Sequence, residues 1–457
     1  MAARGQVTPA RRVAFAVIRR TFEQGSFTDR AFRALADEAE LAGRERAQAQ
    51  RLSYGTVQRR GTTDAIVNRL SGRPAADIDA PVAAALRLGV FEVLFSRGVA
   101  DHAAVDQAVS LAKEAGAGRG SGFVNAILRR CARERDALLA GLTDGDPQAA
   151  AVAHSAPEWL ARMWWHELGP AQARSLLAAA NEPAETAMRV NRLRHSAQEA
   201  RDRLGAAGVE AGPASGPPPL DVSDVIVFAG RVGDETAAMV ASGDLTPQSR
   251  ASAAVIALLD PQPGERILDL CGGPGIKATG IAERIGDEGE VVAVEPDERR
   301  CAEIAANAER VGATCIRALH GDGRTVGLEG GFDRVLVDAP CTDLGTLASR
   351  PDARWRKSEG QIEDLARLQG ELIERAAGLL APGGTLVYST CTISRRENEE
   401  RVASATGRDD AGIELDDLGA QHPELASPAE PRALQVRPDR DGTTGFFIAR
   451  FRGAEGG

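Results

Sequence analysis

Arg266-Ile-Leu-Asp-Leu-Cys-Gly-Gly-Pro-Gly-Ile-Lys277 decides the fold. A short apolar run ends at Asp269-Leu270 and breaks into a glycine-rich turn that opens a helix. Comparable runs recur at Glu290-Val-Val-Ala-Val-Glu295, Arg334-Val-Leu-Val-Asp338 and Gly384-Thr-Leu-Val-Tyr-Ser389, each separated from the next by a helical segment. Apolar strands alternating with helices predict an α/β domain with a parallel sheet buried on both faces. In such sheets ligands bind at the carboxyl ends of the strands, so the residues just after each run are the place to look for chemistry.

Five strand ends carry suitable groups. Cys271, Gly272, Gly273, Pro274, Gly275, Ile276 and Lys277 follow the first strand. Glycines there admit close approach of a ligand, and a helix N-terminus favours negative charge such as a carboxylate. The spacing is neither of the two common pyrophosphate-binding patterns. Glu295 ends the second strand and is placed to accept hydrogen bonds from ribose hydroxyls. Asp322, in His320-Gly-Asp-Gly323, follows the third strand and suits an adenine amino group. A ligand with an adenosine and an anionic or zwitterionic tail fits these positions. The fourth strand ends in Asp338-Ala-Pro-Cys341 and the next in Ser389-Thr-Cys391. Two thiols and a carboxylate at neighbouring strand ends form an unusual set, although either cysteine alone reads as an inert core residue.

Outward from this region the chain changes character. Its 457 residues exceed one core and predict two or three domains. Residues 9–135 read as five to six helices, with a buried central one from Val82 to Phe95. The region 140–245 mixes helices near 159–168, 171–180 and 196–207 with a strand at 188–193. Gly212 to Pro219 is a Pro/Gly-rich loop or linker. The boundaries are drawn at 1–138, 139–245 and 246–457. Net charge is −10, which alone disfavours a nucleic-acid partner. Residues 1–135, however, carry a balance of +8 against −18 for the remainder, and a basic third can supply a phosphate-contacting surface. The six cysteines form no C-x-x-C pair and only six histidines are present, so no metal site is expected. No 18-residue apolar run and no signal-peptide pattern is seen, which predicts no membrane partner, a cytoplasmic location and reduced thiols.

Taken together, Cys271-x-x-Pro-Gly-x-Lys277, Asp338-Ala-Pro-Cys341, Ser389-Thr-Cys391 and Glu397-Asn-Glu399 resemble the RNA (cytosine-5) methyltransferases, and within them the bacterial Sun/Fmu (RsmB-like) type that modifies small-subunit ribosomal RNA. The resemblance covers almost the whole chain. Tyr54-Gly-Thr-Val-Gln-Arg59, His102-Ala-Ala-Val105 and Gly122-Phe-Val-Asn-Ala-Ile-Leu-Arg129 are similar to a NusB-like helical domain. Gln248–Ser252 resembles the segment before the first strand, and Gly445-Phe-Phe-Ile-Ala449 the closing strand. Four departures stand out: Gly-Gly at 272–273 and Ile276 in the glycine loop, Glu295 for the usual Asp, Thr392 for Ser, and Arg396 for Pro.

The resemblance implies an all-α NusB-like RNA-binding domain and a Rossmann-like methyltransferase domain with a mostly parallel seven-stranded sheet. The implied cofactor is S-adenosyl-L-methionine, and the implied partner is ribosomal RNA of the small subunit, unassembled or partly assembled, bound by a monomer. Cys391 would be the thiolate that adds to carbon 6 of cytosine. Asp338 would contact the N3/N4 edge of the base and border the cofactor, and Cys341 would assist elimination. Lys277 contacts either Asp338 or the cofactor carboxylate, and Trp355 either stacks on a base or anchors its loop. Two rivals are a DNA cytosine-5 methyltransferase, which takes its nucleophile from the Pro-Cys and lacks the Thr-Cys, and a non-enzymatic RNA-binding factor with a relic sheet domain.

Overall fold

The computed structural model describes residues 6–455 except 97, 231 and 408–411. Two compact units emerge, Met1–Pro183 with Leu347–Lys357, and Ala184–Thr346 with Ser358–Gly457.

The first unit is helical. Seven helices occupy the region where five to six are expected: Pro9–Glu23, Thr28–Glu38, Gly43–Gln58, Arg60–Ser71, Ala80–Phe95, Asp101–Glu114 and Ser121–Arg133. One extra element arises because the apolar periodicity running from Leu52 to Leu70 is broken at Arg59, which leaves helical geometry (φ −88°, ψ 14°). Ala80–Phe95 is buried almost all round, as its unbroken apolar sequence requires. Its single buried charge, Glu92, pairs with Arg11 at 2.6 Å. Gly55 explains the Tyr54-Gly55 pattern. A Cβ there would lie 2.2 Å from the Phe91 ring, so only glycine lets the two helices meet this closely, while Tyr54 packs edge-on against Phe32.

The unit runs past residue 138. Thr62 Oγ1 donates to Val152 O at 2.6 Å and Gly61 N to Ser155 Oγ at 2.9 Å, which ties Pro147–Ala153 and its following turn to the preceding helices. The Arg350-Pro-Asp-Ala-Arg-Trp355 stretch also belongs here. Trp355 Nε1 donates to Val57 O at 2.8 Å, so this side chain anchors its loop. Arg354 is 1% exposed. Its guanidinium donates to Ser155 O (2.9 Å), Asn181 Oδ1 (3.1 Å), Ala180 O (2.8 Å) and Leu347 O (3.3 Å). Burial and the charge of Arg59 lower its pKa to about 9.

The second unit holds two sheets. A small antiparallel one has β1 (Ala187–Val190), β2 (Ala211–Pro213), β3 (Val225–Phe228) and β4 (Leu245–Pro247) in the order β2-β3-β1-β4. Part of the Gly212–Pro219 stretch is therefore a strand edge and not a linker. The large sheet has β5 (Arg266–Asp269), β6 (Glu290–Glu295), β7 (Ile316–His320), β8 (Phe332–Asp338), β9 (Leu380–Thr390), β10 (Ile413–Leu415), β11 (Leu434–Val436) and β12 (Phe446–Gly453). Seven run in the order β10-β12-β9-β8-β5-β6-β7, and an eighth, β11, pairs with β12. The five strands from β9 to β7 are parallel, whereas β12 is antiparallel to β9.

Alternate residues of each strand enter different cores, which is the period-2 consequence of burial on both faces. Ile267, Val291, Leu336 and Val387 join the core on one face. Leu268, Val292, Val337 and Tyr388 join the other. The small sheet belongs to the same unit because Arg189 of β1 reaches the helix Ile276–Arg284. Its buried guanidinium pairs with Glu283 at 2.8 Å and donates to Ile276 O at 2.9 Å and to Gln248. That contact also gives Gln248, in the segment before the first large-sheet strand, a structural purpose.

Arg354 supplies a stability test. Hydrogen bonds from a charged donor contribute about 1.5–3 kcal/mol, and removing the donor leaves buried carbonyls unpaired. Arg354→Met is expected to lower the melting temperature of the helical unit by roughly 5 °C or more, measured by calorimetry. Arg354→Lys should recover only part of the loss, since a single ammonium cannot reproduce the planar fork.

Candidate functional site

The site begins with register. Strands β8 and β9 pair in parallel with Asp338 opposite Ser389. Both chains then leave the sheet in the same direction, Ala339 N donating to Ser389 O at 2.9 Å. Three residues on in one chain and two in the other, Cys341 and Cys391 meet with their Sγ atoms 3.3 Å apart. Asp338 is held from both sides. Ser389 Oγ donates to Oδ1 at 2.8 Å and Lys277 Nζ to Oδ2 at 2.5 Å. Of the two contacts open to Lys277, the one to Asp338 is therefore made. Asp343 lies in the loop after Cys341 in a left-handed conformation (φ 59°), and its Oδ1 accepts from the Cys391 thiol at 3.1 Å.

Cys391 sits among acceptors and negative charge. The hydrogen bond with Cys341 raises its pKa well above the ordinary thiol range, and burial and the carboxylates of Asp343 and Asp338 add to the effect. The thiol of the free protein thus keeps its proton at neutral pH. Cys271 is likewise raised, chiefly by burial, and packs against the core. None of the six cysteines is joined in a disulfide. Cys341, Asp343 and Cys391 place three ligand-type atoms within 4.8 Å of one another.

Beside the thiols, β5 delivers the glycine-rich turn. Gly273 and Gly275 adopt positive φ (54° and 87°), and Gly275 caps the helix that starts at Ile276. A Cβ on Gly272 would press on Ile304, Ala293 and Val294 O at 3.1–3.4 Å. Pro274 O accepts from Asn307 Nδ2 at 2.8 Å. The isoleucine at 276 opens the helix without disturbing it, its carbonyl held by Arg189.

Glu295 ends β6 buried, with Oε1 accepting from Asp297 N at 3.0 Å. Asp322 stands in the turn after β7, where Arg324 grips both oxygens and lowers its pKa. A ligand reaching Asp322 must compete with that guanidinium.

Sequence reading passes over Asp269, the last residue of β5. It is 1% exposed and neither carboxylate oxygen has a hydrogen-bond partner. Burial, reinforced by Asp338, pushes its pKa up to about 7. Two buried, unpaired acceptors beside the glycine turn are suited to a donor group brought by a ligand. The signal in the sequence was there: an acidic side chain closing an otherwise apolar strand. Asp343 carried no such signal, since only its loop geometry turns it towards Cys391.

The comparisons agree with this architecture. The family described as NusB matches residues 8–133, a RsmF/B-like ferredoxin-like domain 156–218, and the family described as 16S rRNA methyltransferase RsmB/F 256–452. A probable ribosomal RNA small subunit methyltransferase B of Synechocystis is 31% identical across 97% of this chain and 99% of its own. A putative methyltransferase of Mycobacterium tuberculosis is 34% identical across 98% and 97%. The solved structure of a methyltransferase homologue from Pyrococcus horikoshii aligns with 68% of this chain and all of its own at TM-score 0.59 and 27% identity. Another solved fold aligns over 98% of this chain at TM-score 0.81. With relatives this similar over nearly its full length, the chain belongs to the family of ribosomal RNA small subunit methyltransferase B.

Proposed function

We propose that this protein transfers a methyl group to carbon 5 of a cytosine in small-subunit ribosomal RNA, with Cys391 as nucleophile and Cys341 as the group that frees the product. The observation that carries the reading is the pair of thiols 3.3 Å apart beside Asp338. One thiol suffices for a core or for simple nucleophilic attack. Two in contact at adjacent strand ends suit a reaction with separate attack and release steps.

Carbon 5 of cytosine is a weak nucleophile. In the proposed course Cys391 passes its proton to Asp343 Oδ1, which accepts from the thiol. The thiolate forms a bond to carbon 6, so that the ring becomes an enamine whose electron pair rests on carbon 5. Asp338 faces the N3/N4 edge of the base, where a hydrogen bond or proton eases addition. The carbon 5 pair then takes the electrophilic methyl group that S-adenosylmethionine, when bound, would supply, and the pair of the broken S–CH3 bond stays on the cofactor's sulfur. Cys341 then takes the proton from carbon 5, and the carbon 6–sulfur bond breaks with its pair returning to Cys391. The target base must be unpaired or flipped out for either thiol to reach it.

The cofactor fits the residues present. Asp269 offers two buried, unpaired oxygens for the amino group of a zwitterionic tail. Glu295 stands at the neighbouring strand end for the ribose hydroxyls, with Asp322 near the adenine. The turn 271–277 admits the tail at a helix N-terminus. The basic residues 1–138 are assigned to RNA phosphates.

Denaturing electrophoresis with unmodified small-subunit RNA tests the roles. Cys341→Ala should accumulate a gel-stable protein–RNA adduct, and Cys391→Ala should form none. The reverse pattern would indicate the DNA-type assignment and overturn this one.

Calorimetry tests the cofactor contacts. Losing a charged acceptor costs about 1.5–3 kcal/mol, so Glu295→Ala should weaken S-adenosylmethionine binding roughly 10- to 150-fold. Unchanged affinity would remove Glu295 from the site.

The pH dependence of Cys391 alkylation has a definite sign. Its hydrogen bond with Cys341 is the largest cause of its raised pKa, so Cys341→Ala should move the midpoint of iodoacetamide labelling to lower pH. Peptide mass spectrometry reads this directly, and an upward shift would contradict the assignment.

A further inference from the structure

We propose that Glu397 and Asn398 are positioning residues that divide the two thiols between them, Glu397 fixing Cys341 for release and Asn398 fixing Cys391 for attack. The proposal rests on the reading of the two thiols given above. Both residues lie in the loop between β9 and the helix Glu399–Thr406, and both are fully buried. An ionised carboxylate is costly to bury unless hydrogen bonds satisfy it, and those of Glu397 converge on one place. Oε1 accepts from Thr342 N at 2.9 Å, and Oε2 accepts from the Thr342 hydroxyl. Gln369 donates to Oε1 at 3.1 Å and, with the same amide nitrogen, to Pro340 O at 2.9 Å. Pro340 and Thr342 are the residues on either side of Cys341.

Asn398 treats the other thiol in the same way. Its Oδ1 accepts from Thr390 Oγ1 at 2.6 Å, and its Nδ2 donates to Thr392 O at 3.1 Å. Thr390 and Thr392 are the residues on either side of Cys391. Thr342 Oγ1 and Thr392 Oγ1 join the two grips at 2.7 Å, and hydroxyl polarity orders them. A hydroxyl has one proton, so Thr342, which donates to Glu397, accepts from Thr392. Two adjacent residues thus set two loops that are 50 positions apart in sequence.

The division predicts opposite defects. Glu397→Gln loosens the Cys341 side, so attack proceeds while release slows by roughly 10-fold or more. With radiolabelled S-adenosylmethionine and unmodified small-subunit RNA, the full-length variant should accumulate gel-stable adduct as Cys341→Ala does. Asn398→Ala should lose adduct and methylated product together. If Glu397→Gln does not fold, Thr342→Val removes the same donated hydroxyl at nearly constant shape. It should show the same accumulation, and Thr342→Ser should reverse it.

A second readout does not depend on methylation. Diamide takes two electrons and two protons from a thiol pair as the S–S bond forms, and its rate with Cys341 and Cys391 reports their spacing. Glu397→Gln should slow closure several-fold relative to the unaltered protein. Equal loss of adduct and product in both variants, with unchanged diamide closure, would overturn the positioning roles. If Cys341→Ala itself traps no adduct but Glu397→Gln still slows closure, the reading of the thiols has failed and the clamp stands.

Discussion

The parallel pairing of β8 with β9 is the constraint on which the rest depends. Register in a sheet is set by which side chains must enter which core, and a one-residue slip would send every side chain to the opposite face. Val335, Val337, Leu386 and Tyr388 fill one core while Leu336 and Val387 fill the other. The same packing that fixes this alternation places Asp338 opposite Ser389. Each chain has only two or three residues to run before its cysteine, so the thiols have little freedom to miss each other. Stability of the sheet and geometry of the site are thus one requirement.

Electrostatics then decides the resting state of the site. Asp269, Asp338, Asp343 and Glu295 bring carboxylates to one end of the sheet, and Lys277 neutralises only Asp338 directly. That field adds to the hydrogen bond with Cys341 and to burial, which together hold the Cys391 pKa well above the ordinary thiol range. The cost is useful in a protein carrying two adjacent thiols, because protonated sulfur is a poor nucleophile towards adventitious electrophiles. In the proposed reaction the Cys391 thiol must lose that proton before it attacks.

Much of this was legible in the sequence because it is local. A strand of the large sheet is a short apolar run, a ligand turn is a cluster of glycines, and each thiol follows its strand within three residues. The central helix Ala80–Phe95 announced itself by composition alone. What escaped is what only tertiary contact creates. Asp343 depends on a left-handed turn, and Gln369 lies on the helix Glu359–Ala377 with no motif to mark it. The separation of Leu347–Lys357 from the flanking sheet elements is set by Arg354 and Trp355 finding carbonyls hundreds of residues away in sequence. No period or spacing encodes such a partner.

The two thiols must also satisfy a condition that neither strand alone can meet. In the proposed reaction the sulfurs serve carbons 5 and 6 of one pyrimidine, which are bonded neighbours, so they have to lie almost in contact. Neighbouring strands are about 4.8 Å apart, and side chains leaving two such strands tend to diverge with the sheet's twist. At 3.3 Å the sulfurs are closer than the backbones that carry them, yet well beyond the ~2.05 Å of a disulfide bond. Holding that intermediate distance needs groups that pull both loops inward and stop them there. The Thr390 hydroxyl bonded to the buried amide of Asn398, the Thr342 hydroxyl bonded to the buried carboxylate of Glu397, and the Thr392 hydroxyl joined to that of Thr342 meet the condition with directional bonds. Apolar packing has no preferred angle and could fill the same space without fixing the gap.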